Sequence, residues 1–182
     1  VFIVDDDAAV RKGLARLLRS AGLAVTTFAT PHEFLDHHDP NAPGCLVLDV
    51  AMPGLNGLEL QQALIAGGHE LAIVFLTGHG DIPMSVQAMK RGAVDFLTKP
   101  FRDQDLLDAV HVAVERDRTR RKQAVRTADL QQRYQGLTER ERDVMALVVL
   151  GRPNKQIGGE LGLAEVTVKA HRRQIMQKIG AK

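Results

Sequence analysis

Five short apolar runs, each followed by a segment of helical periodicity, fill residues 1–115 and leave few folds open to the chain. The runs are VFIV (1–4), LAVTTF (23–28), CLVLD (45–49), LAIVFLT (71–77) and AVDFLT (93–98). After the first, Val10, Leu14, Leu17 and Leu18 share one helical face. PHEFLDHH opens the next helix with Pro31 at an early position, where a missing N–H costs little. NGLELQQALIA stops at Gly67-Gly68, and DIPMSVQAMKRG and DQDLLDAVHVAVERD complete the set. Strands that alternate with helices pair in parallel through right-handed crossovers, which covers both sheet faces. The expected fold class is α/β: a flavodoxin-like five-stranded parallel sheet of order 2-1-3-4-5, with its topological switch point between strands 1 and 3.

Strand 3 poses a chemical question. Cys45, Leu46, Val47 and Leu48 read as a strand buried on both faces, yet the run ends on Asp49. An ionised carboxylate is costly to bury without a cation or strong donors nearby, and the carboxyl edge of an open parallel sheet is where ligands bind. The predicted strand order brings Asp5, Asp6 and Asp7, at the end of strand 1, beside Asp49. Carboxylates so close resist ionisation unless a divalent cation neutralises them, and an all-oxygen donor set suits Mg²⁺ (or Mn²⁺). Strand 4 contributes the Thr77 hydroxyl and strand 5 the Lys99 ammonium. Such an edge can make Asp49 a phosphoryl acceptor, with Thr77, Lys99 and the metal on the equatorial oxygens. The Lys99-Pro100 bond admits a cis form, which would fix the lysine's direction.

The pattern changes from Glu115. ERDRTRRKQAVRTADLQQRYQ lacks Pro and Gly, is rich in helix formers and has almost no apolar face between Arg116 and Gln123. It reads as a solvated linker that extends the preceding helix, with Arg116, Arg118, Arg120, Arg121 and Lys122 as a wet face. The remainder is helical in pattern. LTERERDVMALVVLG begins with Thr138 and Glu141 in capping-box spacing. NKQIGGELG has Asn154 as candidate N-cap and Gly162 at the turn. In AEVTVKAHRRQIMQKIG, Val168, Ile175 and Ile179 form an inward stripe, and Lys169, Arg172, Arg173 and Gln177 point away from it. Two helices joined by a Gly-containing turn, the second bearing outward cations, describe a helix-turn-helix whose second helix enters the major groove. His171 reads as a packed, hydrogen-bonded helix residue, and no Cys/His spacing supports zinc.

Charge separates the two halves. Residues 1–101 hold 7 Lys and Arg against 11 Asp and Glu, whereas residues 102–182 hold 17 against 11. The acidic front and basic rear point to two modules with different partners, the rear one nucleic acid. A lone Cys45 inside an apolar strand acts as a small hydrophobe and fits a reducing cytoplasm. No apolar run approaches the ~20 residues of a membrane span. The abrupt start at VFIVDDD is expected to follow a few further residues, and no signal peptide is legible there.

VDDD, LDVAMPG, LTGHGDIPM, AMKRGAVDFLTKPF and NKQI…TVKAH, in that order, resemble the FixJ/NarL class of two-component response regulators. Residues 1–102 are similar to a receiver domain and 137–182 to a LuxR-type DNA-binding domain. The expected division is a receiver at 1–116, a helical linker at 117–136 and a DNA-binding domain at 137–182. The resemblance implies Asp49 as phosphoacceptor, Asp6 and Asp49 as direct Mg²⁺ ligands, Asp5 as a ligand through water, and the Ala51 carbonyl as a third protein ligand. It implies Thr77 and Phe96 as the switch pair. On the DNA side it implies Lys169, Ala170 and Arg173 as the base-facing set, with Thr167, Arg172, Asn154, Lys155 and Lys178 as phosphate or positioning residues.

The implied function is a phosphorylation-activated transcriptional regulator. Its partners would be a sensor histidine kinase, double-stranded promoter DNA, RNA polymerase and, once phosphorylated, a second copy of itself, with no membrane. It is not an enzyme beyond phosphotransfer to its own Asp49 and autodephosphorylation. Gly158 stands where the family usually has alanine and should loosen its helix slightly. The resemblance implies a final helix, used by the family for dimerisation on DNA, that is expected to follow Lys182. Two other readings compete. A phosphatase of the haloacid-dehalogenase type also uses an Asp nucleophile, a Lys and Mg²⁺, and Asp5-Asp6-Asp7 formally contains its D-x-D. Its expected threonine, however, is Ala9, and no cap insertion separates the motifs. A receiver with a protein- or RNA-binding output module is the third.

Overall fold

The computed structural model describes residues 1–78 and 82–180. The chain divides into two compact units, Val1–Arg121 and Lys122–Lys182. Asp81, the expected start of the fourth helix, and His79-Gly80 of the LTGHGDIPM motif lie outside the described residues.

The first unit holds β1 (Phe2–Val4), α1 (Ala8–Ser20), β2 (Thr26–Phe28), α2 (Pro31–His37), β3 (Cys45–Asp49), α3 (Gly57–Ala66), β4 (Ala72–Thr77), α4 (Ile82–Lys90), β5 (Asp95–Thr98) and the start of α5 (Asp103–Gln135). All pairings are parallel, and the order is β2-β1-β3-β4-β5, as the crossover argument predicts. Strand β2 is shorter than expected. Leu23 and Val25 pack against the core without joining the ladder.

Period-2 alternation sorts each strand onto the two sheet faces. Ile3, Cys45, Val47, Val74 and Leu76 meet Leu14 and Leu18 of α1 and Leu106, Val110 and Ala113 of α5. Val4, Leu46, Leu48, Ile73 and Phe75 meet Phe34 of α2, Leu60 and Leu64 of α3 and Ala88 of α4. Every residue of β3 is buried, which is why its sequence shows no polar alternation. Cys45 lies in this layer, and burial pushes its thiol up to about 12, so it is an inert core residue. Among the described residues, no helix is long and apolar enough to cross a membrane.

Helix α5 runs unbroken for 33 residues. Its charged middle is not the uniformly wet face that the sequence suggests. Asp117 is buried, with its Oδ2 accepting from Gly44 N–H at 2.9 Å and from Arg121 Nε at 2.7 Å, while Oδ1 accepts from Arg120 at 2.8 Å. Arg121 also donates to the Asn41 and Ala42 carbonyls. These groups fasten α5 to the loop that feeds β3. Burial alone would raise the Asp117 carboxyl, but the hydrogen bonds from Arg120, Gly44 and Arg121 outweigh it and hold the carboxyl below its ordinary range.

The second unit contains α6 (Glu139–Val149), α7 (Asn154–Leu161) and α8 (Glu165–Ile179) around Leu137, Val144, Ile157, Val168 and Ile175. The Thr138/Glu141 capping box is present in both directions. The expected cap at Asn154 is not: Pro153 occupies the cap position of α7, and Asn154 is the first helical residue. Gly158 also differs from expectation. A Cβ there would stand 2.6 Å from the Leu163 carbonyl oxygen, and the Leu163 N–H donates to the Gly158 carbonyl at 2.8 Å. Glycine lets the turn close onto α7, an effect that helix propensity alone does not register.

The Asp117 network predicts a stability signature. Asp117→Asn at neutral pH is expected to cost ~1–3 kcal/mol, toward the lower end because both guanidiniums keep contact with water. Urea unfolding and faster hydrogen exchange at Gly44 N–H are the readouts. The folded carboxyl is depressed, so its contribution is complete above the unfolded value and fades as pH falls through the folded one. The gap between wild type and Asp117→Asn should therefore narrow in acid. A gap constant across that range would contradict the network.

Candidate functional site

The carboxyl ends of β1, β3, β4 and β5 meet along one sheet edge, and the predicted residues meet with them. Asp49 ends β3, beside Leu76 in register, and Thr77 ends β4 opposite Thr98 of β5. Lys99 follows β5, and its peptide bond to Pro100 is cis. The Lys99 Nζ donates to Asp49 Oδ1 at 2.8 Å and to Asp5 Oδ2 at 3.0 Å. Asp5, Asp49 and Thr77 are buried, whereas Asp6 and Ala51 are exposed beside them. One cation thus bridges two buried carboxylates.

The three consecutive acids after β1 divide their work. Asp5 is the buried one; its Oδ1 accepts from Asp7 N–H at 2.9 Å, and Arg11 donates to its carbonyl at 2.6 Å. Asp7 is the N-cap of α1. It accepts from Val10 and Ala9, whose amides hold its carboxyl below the ordinary range. Asp6 makes neither contact and remains open to solvent.

Burial raises the Asp49 carboxyl above its ordinary value; Lys99 works against that, and the charges of Asp5 and Asp6 reinforce it. Burial likewise works against the Lys99 ammonium, but its bonds to Asp49 and Asp5 and their charges prevail and hold its pKa up. Two buried acids sharing one ammonium, with the charge of Asp6 nearby, leave negative charge uncompensated, which a divalent cation would match. Among the described residues, no three His, Cys, Asp or Glu side chains gather tightly enough to hold a metal alone. The all-oxygen donors at this edge, carboxylates and a backbone carbonyl, are of the kind Mg²⁺ takes together with water.

Phe96 of β5 is half-buried, with its ring centroid 6.0 Å from that of Phe75. Gly57 is a site residue that sequence reasoning missed. It is buried at the first turn of α3, donates its N–H to the Val50 carbonyl at 3.1 Å, and sits so close beneath Asp49 that a Cβ would collide with the Asp49 carbonyl oxygen. The only sequence signal is an Asn-Gly pair opening a helix, which reads equally well as an ordinary cap.

In the second unit, the cations of α8 separate into engaged and open ones. Arg172 was expected to point outward, but it is half-buried and donates to Asn154 Oδ1 at 2.8 Å. Lys178 donates at 2.6 Å to Glu141, whose carboxyl is held low first by that bond and then by the Thr138 amide. Lys169 pairs with Glu165 at 3.0 Å on the surface, where such a pair is weak and easily exchanged. Lys155, Arg173 and Ala170 are exposed, and Thr167 is half-buried. His171 is half-buried, and its Nδ1 finds no hydrogen-bond partner among the described residues, so the hydrogen-bonded residue expected from the sequence is not what the structure shows.

Comparison with known proteins covers both units. Residues 1–111 match the response regulator receiver domain model, and residues 135–182 match the model of bacterial regulatory proteins of the luxR family. Nodulation protein W of Bradyrhizobium diazoefficiens is 52% identical over 182 residues, covering 100% of this chain and 80% of the relative. The transcriptional regulatory protein FixJ of Azorhizobium caulinodans is 44% identical over 181 residues, covering 100% and 86%. Among solved structures, that of response regulator StyR superposes with a TM-score of 0.90 at 52% identity, covering 100% of this chain and 91% of that one. Full-length FixJ from B. japonicum gives a TM-score of 0.61 at 40% identity, covering 100% and 89%.

The contact beneath Asp49 is testable by stability. Gly57→Ala should destabilise the first unit by ~1–3 kcal/mol, because the added methyl meets backbone that cannot move without dragging β3. Chemical denaturation measures the loss, and displaced amide resonances at Asp49 and Val50 locate it. A variant as stable as wild type with unmoved resonances would show that the approach is loose.

Proposed function

The chain belongs to the two-component response regulators that join a receiver to a LuxR-type DNA-binding domain, and from that premise we propose that Asp49 is the phosphoacceptor through which its DNA binding is controlled. Members of this family are transcriptional regulators partnered by a histidine kinase, and the phosphatase reading is not favoured. The observation that carries the proposal is the shared ammonium of Lys99, bonded to both Asp49 and Asp5 at the strand ends.

In the proposed reaction an Asp49 carboxylate oxygen attacks the phosphorus of a phosphohistidine. A new O–P bond forms, the N–P bond breaks, and the electron pair leaves with the imidazole. Lys99 balances charge on the phosphoryl oxygens, and the Thr77 hydroxyl donates to one of them. Asp6, Asp49 and the Ala51 carbonyl would hold Mg²⁺, with Asp5 acting through water. Bound there, the ion supplies positive charge for the clustered carboxylates and for the incoming phosphoryl oxygens. The protein's own contribution is orientation. Gly57 and the buried β3 hold the Asp49 backbone, and Lys99 holds its carboxylate.

Thr77 and Phe96 are the proposed switch pair. The surface of α4 and β5 is the proposed dimer face: Ile82 is 79% exposed, Val86 and Met89 share its helix, and Lys90, Arg91 and Asp95 add mixed charge. Residues 1–116 are read as receiver, 117–136 as a linker whose first residues, through Arg121, stay fastened to the receiver, and 137–182 as output domain, working in the cytoplasm with RNA polymerase. On DNA, Lys169, Ala170 and Arg173 face bases. Thr167 and Lys155 contact phosphate, and Asn154, Arg172 and Lys178 position the helices through the bonds described above. Two modules linked by receiver dimerisation bind a two-fold site with the second contact made intramolecular.

Acetyl phosphate in Mg²⁺ is expected to label the protein with an acid-stable, base-labile adduct, and Asp49→Asn to abolish it. Label that persists in Asp49→Asn and under chelation would refute the phosphoacceptor assignment. On DNA, Lys169→Ala should cost ~1–3 kcal/mol on a specific duplex and far less on a scrambled one. Lys155→Ala should weaken both evenly and shrink the salt dependence. Titrations at two salt concentrations separate the roles, and an equal loss for Lys169→Ala on both duplexes would remove it as a base reader.

A further inference from the structure

An exposed valine at the head of α8 points to a base contact beyond those proposed above. Val166 is 73% exposed in the first turn of α8. It lies at i to Lys169 at i+3, Ala170 at i+4 and Arg173 at i+7, so all four share one helix face, and all four are exposed. The opposite face carries Val168 and Ile175, which fill the core of the second unit; Val166 is not among the residues packed there.

Nothing in the fold of the domain accounts for a valine at this position. A β-branched side chain loses rotamer freedom in a helix and is a poorer helix former than alanine, lysine or glutamine. Hydration of its exposed methyls offers nothing in return. At this position the side chain gains nothing from packing in the free protein. Its neighbours on the face state what covers it. Arg173 and Lys169, whose surface pair with Glu165 is weak and easily exchanged, flank the Val166–Ala170 strip with positive charge, which suits a polyanion and opposes a second basic module. In the major groove, the one apolar group presented by the bases is the 5-methyl of thymine.

We propose that Val166 reads a thymine methyl in each half-site of the target DNA, and so acts as a specificity-determining residue alongside the base-facing cations. The inference rests on the DNA-binding reading of the second unit. It names what that face recognises: a thymine-bearing base pair at the N-terminal end of the recognition helix.

The test uses the full chain, phosphorylated with acetyl phosphate, and a duplex that this protein selects from a random-sequence pool. Each thymine of the selected site is replaced in turn by deoxyuridine, which deletes the methyl and keeps every hydrogen-bonding group. One thymine per half-site should respond, with affinity falling about fourfold for a buried methyl. Val166→Ala should lose a similar factor on the thymine duplex, and no more when that one thymine is uracil. The two losses would then be non-additive at that position and additive at every other. Val166→Thr, which keeps the shape and exchanges a methyl for a hydroxyl, should behave like Val166→Ala. Val166 is exposed, so thermal unfolding should match wild type for Val166→Thr and be no lower for Val166→Ala. A selected half-site without thymine, a flat deoxyuridine scan, or losses that add at every position would each overturn the proposal while leaving DNA binding intact. Failure of the wild-type chain to bind any duplex in a salt-dependent way would overturn the DNA reading, and this one with it.

Discussion

The ammonium of Lys99 holds two buried carboxylates at once, and most of the first unit can be understood as the scaffolding for that contact. In the order β2-β1-β3-β4-β5, the lysine leaves β5 and reaches Asp49 across β4, and Asp5 across β4 and β3. Such a span requires strand ends that stay level. Parallel pairing sets the level, and apolar layers on both faces keep it. Burial of Asp5 and Asp49 without the ammonium would leave uncompensated charge in a low-dielectric setting, a cost of several kcal/mol per ion. The greasy strand ending on an acid is thus a consistent design. The apolar residues fix the backbone, and the cation makes the carboxylate tolerable.

Much of this was legible in the sequence, for identifiable reasons. Alternating periods give parallel pairing with right-handed crossovers, and the flavodoxin-like order expected for five such strands brings Asp5, Asp49, Thr77 and Lys99 to one edge before any coordinates are known. What the sequence hid were contacts between residues far apart and individually bland. Asp117 looked like one charge in a charged helix, because its partner Gly44 lies 73 residues away and offers only a backbone N–H. Arg172 looked outward by helical phase until Asn154, 18 residues earlier, was found to accept its hydrogen bond. Gly57 and Gly158 carry no side chain to interpret; each matters through the space it leaves for the Asp49 and Leu163 carbonyls. Pattern reading finds what a side chain does along its own element, and it misses glycine approaches and pairings to backbone.

The same division applies to charge in the second unit. A basic tail suggests a basic surface, yet the cations are not equivalent. Arg172 and Lys178 hold Asn154 and Glu141, and so fix how α7 and α6 meet α8. Lys155 and Arg173 remain exposed, and Lys169 is held only by a surface pair worth little. Net charge sets the long-range attraction to a polyanion. Which cations can change partners on contact is a matter of burial, and that requires the structure.

Burial also indicates where the first unit can yield. A phosphoryl group on Asp49 would bring further negative charge to an edge where two carboxylates already share one ammonium, so some contact there has to be exchanged. Strand β3 is buried throughout and gripped from both faces, and Gly57 lies against the Asp49 backbone, so that side is stiff. The far edge differs. No residue of β5 is fully buried, and α4 presents a single fully buried residue, Ala88. Thr77 and Phe96 sit on the strands that join the stiff side to this looser one. A packed core responds to local strain at its least constrained boundary, because repacking there displaces the fewest close contacts. A charge added at Asp49 would therefore be answered at β5 and α4, where Ile82, Val86 and Met89 already leave an apolar surface exposed.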